Sequence, residues 1–72
     1  MLGLLINVAE QREMEYLIKR ELEEILFDLE DERIEHIVKP AMKERYQLLF
    51  RLLQRVASPE DCMKYMLRKQ TK

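Results

Sequence analysis

Few side chains in this sequence could make or break bonds, and each stands by itself. His36 is the single histidine, Cys62 the single cysteine and Gly3 the single glycine. A di-iron site in a helical bundle needs Glu-x-x-His pairs on two helices, and three residues before His36 stands Arg33. Glu32, one helical turn before His36, could hydrogen-bond the ring. One histidine and one cysteine do not supply the ligands of a usual four-coordinate zinc site. His36 is therefore expected on a helix surface near a hairpin end.

Cys62 falls near the start of an expected helix, where the dipole could depress a thiol pKa. No histidine is placed to take its proton, so it reads as a small buried apolar residue. Ser58 precedes Pro59, Glu60 and Asp61 and is accounted for as a helix cap, not a nucleophile. A sequence whose one glycine is Gly3 has no glycine-rich phosphate loop. The acidic run over 28–35, DLEDERIE, lacks the turning residues that a calcium loop places between its ligands. No catalytic residue, metal site or cofactor is expected.

Basic residues remain to be weighed. Arg51, Arg55, Lys64 and Arg68, with Lys69 and Lys72, give the C-terminal half a basic side that could contact an anion or nucleic acid. The junction at Ala57 and Ser58 resembles a very tight helix-turn-helix. Genuine units use a longer turn and open the recognition helix with base-reading side chains. Here that opening holds Glu60 and Asp61, which repel phosphates. The formal net charge of −1 also argues against binding nucleic acid through field alone. Nucleic acid is the alternative partner, not the leading one.

These residues must be carried by helices. The composition is 47% hydrophobic and 38% charged, with one glycine and two prolines, so signals for strands and tight turns are almost missing. Met14, Ile18, Leu22, Ile25 and Leu29 recur at helical spacing and stack on one face, which Leu26 widens. Glu15, Lys19, Arg20, Glu23, Glu24 and Asp28 lie off that stripe. Asn7 and Glu10 have capping-box spacing and start the helix at Val8. From there to Val38 no proline or glycine intervenes, so the spacing predicts one helix over 8–38, although its apolar face fades after Leu29. A break near 28–31 is the competing reading.

Lys39-Pro40 is the strongest interior punctuation and is expected to turn a helical hairpin. The rhythm of Ile34, Val38, Ala41, Arg45, Leu49, Leu52 and Val56 also fits a single kinked helix across Pro40. A second helix is expected over 41–57, with Leu48, Leu49, Leu52, Leu53 and Val56 on its apolar side and Tyr46 and Phe50 flanking. Ser58-Pro59 then opens a third over 59–69, with Cys62, Met63, Met66 and Leu67 inward. Residues 1–7 form an apolar arm. Leu2, Leu4, Leu5 and Ile6 are too few to span a bilayer and lack signal-peptide flanks, so the arm is expected to dock on something.

Seventy-two residues make one small domain whose core is marginal without a disulfide, a metal or a second chain. With a single cysteine, dimerisation remains. The expected fold is thus all-α: a long helical hairpin plus a short third helix, completed as a bundle by a second copy. Met14, Ile18, Leu22, Ile25, Leu26, Leu29, Leu49, Leu52 and Leu53 are the expected interface. From Met1 to Ile37 there are 11 acidic and 4 basic residues, and from Val38 to Lys72 there are 3 and 9. These complementary halves favour antiparallel contact within or between chains. Function is read as non-catalytic: a helical protein–protein interaction or regulatory module whose partners are a copy of itself and a protein that no residue names. The lone cysteine suits the reducing cytoplasm, and no contact with a membrane is expected.

Overall fold

The computed structural model describes residues 1–66. They form three helices: α1 over Val8–Glu30, α2 over Lys39–Val56 and α3 over Pro59–Met63, with no strand among the described residues. Both halves of the capping box are made at the start of α1. The Glu10 backbone N–H donates to Asn7 Oδ1 at 2.8 Å, and the Asn7 N–H donates to Glu10 Oε1 at 2.9 Å. Gln11 Nε2 reaches the Val56 carbonyl at 2.8 Å, and Arg45 meets Glu21 at 3.2 Å, so α1 and α2 run antiparallel.

The helix expected over 8–38 ends at Glu30, and residues 31–38 turn the chain. Two causes act together. The Asp31 carboxylate accepts the Arg33 backbone N–H at 2.9 Å and grips the guanidinium at 3.1 and 3.0 Å, a local alternative to helical bonding. Beyond Leu29 the same helix face would present Glu32 and His36, which have no packing to offer in return for the ordered backbone. The hairpin turn therefore precedes Lys39-Pro40, and Pro40 sits in the first turn of α2, where its missing N–H costs nothing. The kinked-helix reading fails for the same reason.

Ile18, Leu22 and Ile25 from α1, Tyr46 and Leu53 from α2, and Cys62 from α3 are buried together; Leu22 and Leu53 lose all solvent contact. Leu26, Leu29, Leu49, Phe50, Val56 and Tyr65 pack around them, half-buried. Tyr46, expected on a flank, is inside because its hydroxyl donates to the Tyr65 carbonyl at 2.7 Å, which gives its polar tip a place among apolar neighbours. Its ring stacks on Phe50 at 5.8 Å.

Ser58 caps α3 by accepting the Asp61 N–H at 3.2 Å, with Pro59 next to it as expected. The α-helix there ends at Met63 and a turn follows at Lys64 and Tyr65; residues 67–69 of the expected third helix lie outside the described residues. Within α3, Cys62 faces inward, whereas Met63 and Met66, expected inward, are exposed. Asp61 reaches α1 instead, holding Lys19 Nζ at 3.3 Å, and Tyr65 Oη reaches Glu23 at 3.3 Å. Those two ties set the rotation of the segment and leave its methionines on the outside.

Candidate interaction surface

The structure redistributes the residues expected to meet a second copy. Ile18, Leu22, Ile25 and Leu53 are taken up by the core of the single chain, and Leu26, Leu29 and Leu49 pack on it. Met14 is half-buried and Leu52 stands at the surface. The second helix, joined by Cys62 of the third, thus covers most of the stripe that the spacing left open. A face of this kind marks what must be buried, but a single sequence does not say by which segment.

Among the described residues, Leu17, Phe27, Ile37 and Leu48 are exposed at other points of the surface, and two further apolar features lie at one end of the molecule. The first is the arm. Leu2, Leu4 and Leu5 stand at 97, 76 and 99% exposure, and nothing lies within 4 Å of where a Cβ on Gly3 would be. The second is a groove of about 420 Å³ between the C-terminal part of α2 and α3, lined by Phe50, Gln54, Ala57, Pro59, Cys62, Met63 and Met66. The Gln11–Val56 bond puts the N-terminal end of α1, and with it the root of the arm, at the groove's end of the molecule. The arm's apolar character was readable in the sequence; the groove was not, because it depends on the rotation of α3.

Cys62 lies on the groove floor, 5% exposed. Burial raises its thiol pKa, and the Asp61 and Glu15 charges add to that, outweighing Lys19. The helix-dipole effect does not prevail, so this thiol is a poor nucleophile at neutral pH. Beside it, Lys19 bridges Glu15 at 2.7 Å and Asp61 at 3.3 Å. The hydrogen bond to Glu15 chiefly raises the Lys19 pKa, and the hydrogen bond from Lys19 chiefly lowers that of Asp61. This bridge ties α3 to α1 and holds one wall of the groove.

The remaining candidates do not converge. His36 is exposed in the 31–38 turn, not on a helix, and no group of three or more His, Cys, Asp or Glu suited to a metal occurs among the described residues. Arg51 and Arg55 lie exposed one turn apart on α2, with Arg51 Nε donating to the Gln47 carbonyl at 3.3 Å. Lys64 is on the other side of the α2–α3 junction and leans on Asp61 at 3.5 Å; Arg68 lies outside the described residues. No helix among the described residues is long and apolar enough to cross a membrane. Comparison with models of known protein families, with characterised proteins and with solved structures returned no match.

Proposed function

We propose that the chain is a non-catalytic helical interaction module that works as a homo-oligomer, with its arm and groove as the contact surface. The observation that carries this reading is an apolar arm whose Leu2, Leu4 and Leu5 stand in solvent, beside an open apolar groove, on a core of six buried side chains among the described residues. Exposed apolar patches of this kind mark places where proteins bind other proteins, and so small a core gains from a second chain. Regulation of another protein through the same surface follows naturally, since methionine-rim grooves adapt to varied side chains. The single buried thiol suits a reducing cytoplasm.

Size-exclusion chromatography with light scattering tests the reading. A particle of twice the 8.8 kDa chain mass is expected, and a well-folded monomer at about 50 µM, a concentration at which micromolar association would be plain, contradicts it. Nucleic-acid binding by the exposed Arg51 and Arg55 pair is the second reading. It calls for a salt-dependent mobility shift with generic DNA or RNA that disappears in Arg51→Glu/Arg55→Glu.

A further inference from the structure

We propose that two copies exchange arms: the Leu2–Ile6 segment of each lies in the α2–α3 groove of the other. This rests on the reading of the chain as a self-associating module and names the contact that would make it so. Three observations converge on a second copy as the occupant.

The first is that the arm is not fastened to its own helix. A capping box is commonly joined by an apolar pair between the residue before the cap and the fourth helical residue. Here those positions hold Ile6 and Gln11, and Gln11 is spent on the Val56 carbonyl. The capping box fixes Asn7 with extended backbone, at φ −89° and ψ 175°, so the arm leaves the helix in a set direction without folding back on it. Leu2 and Leu5 at 97 and 99% exposure show that it does not lie in its own groove.

The second is position. Because Gln11 bonds Val56, the arm root and the groove share one end of the molecule. Two copies facing each other there can each give and receive an arm about a two-fold axis. The contact closes at two chains and leaves no free groove to propagate a filament.

The third is area. Met1, Leu2, Leu4 and Leu5 are all open to solvent, and burying each removes about 100 Å² of apolar surface. Leu2, Leu4 and Leu5 of the exchanged segment then hide about 300 Å², and two arms about 600 Å² before the groove surface they cover is added, a contact at the small end of specific interfaces. The groove is apolar where it must be, with Phe50, Ala57, Pro59, Met63 and Met66 along it and Cys62 beneath. The exposed methionines on its rim can rearrange around leucine side chains.

The experiment compares full-length wild type with Leu4→Glu/Leu5→Glu and Met63→Glu/Met66→Glu by light scattering at about 50 µM, with circular dichroism on each. All four residues are exposed, so the fold should survive. Arm exchange gives a dimeric wild type and a twofold drop in mass for both variants, with helix content unchanged. A dimer that ignores either variant overturns the exchange but leaves self-association standing. A monomeric wild type overturns both readings and leaves the groove to a foreign partner.

A second measurement does not depend on those charges. A Leu4→Cys/Cys62→Ala copy is mixed with a Met63→Cys/Cys62→Ala copy under mild oxidation. Exchange gives a disulfide-linked dimer that contains one of each, in several-fold excess over a mixture with Phe27→Cys in place of Met63→Cys. In a single chain that carries Leu4→Cys, Met63→Cys and Cys62→Ala, an internal disulfide as the main product would overturn the proposal, because the arm would then occupy its own groove.

Discussion

Among the described residues, Leu22 and Leu53 have no solvent contact, and they come from opposite helices. Truncating either leaves a cavity that its neighbours only partly fill, at a cost of about 2–5 kcal/mol. A domain this small has little more than that in reserve. Leu22→Ala is therefore expected to be largely unfolded in a urea titration followed by circular dichroism, whereas Leu48→Ala, more than half exposed on α2, should stay within about 0.5 kcal/mol of wild type. Equal losses would contradict the burial pattern.

Titration follows from three raised pKa values where α1 meets residues 61–65. Burial raises Cys62 and Tyr65, and the Glu15 bond raises Lys19. The folded chain holds these protons more tightly than the unfolded one. Their contribution is complete below the unfolded values and is lost as pH climbs through the raised folded ones. Thermal stability should thus fall above about pH 9, where an unfolded thiol begins to titrate first. Cys62→Ala should move that onset upward, toward the tyrosine and lysine range. At the acid end Asp61, held low by Lys19, and Asp31, held low by Arg33, act in the opposite sense. Their contribution is present above the ordinary carboxylate pKa and disappears as pH drops through the lowered folded values. Stability that is flat from pH 8 to 11 would show that the contact of α1 with residues 61–65 is not formed in solution.

Helix starts were easier to read than helix ends. Asn7 with Glu10 and Ser58 with Pro59 place their helices because a start is written in a few adjacent side chains that satisfy orphan N–H groups. Asn7→Ala should cost about 1 kcal/mol, a melting shift of about 4–8 °C for a domain of this size. The end of α1 is different. No glycine or proline marks it; it depends on the Asp31–Arg33 turn and on the lack of anything for Glu32 and His36 to pack against. Asp31→Ala removes the competitor and should let helical structure creep past Glu30, visible as slower amide exchange over 31–33. Unchanged exchange there would mean that packing alone stops the helix. The rotation of α3 was out of reach for a similar reason: it is set by Lys19–Asp61 and Tyr65–Glu23, each 42 residues apart, which no local pattern reports.

For the molecule as a whole, the apolar stripe of the first helix was readable, and so was the need to cover it. What covers it is mostly the chain's own second helix, joined by Cys62 of the third, and the arm and the groove are apolar surface that the stripe did not mark. The opposite charges of the two halves are partly spent inside the chain, as in Arg45–Glu21 at 3.2 Å, an exposed pair that guides register more than it stabilises. Self-association through the arm has a thermodynamic signature that needs no assumption about how the dimer looks. When folding and dimerisation are coupled, the melting temperature rises with chain concentration. Over a hundredfold range the wild type should gain about 5 °C or more, and Leu4→Glu/Leu5→Glu should gain nothing. A wild-type melting temperature that stays constant across that range would contradict self-association outright.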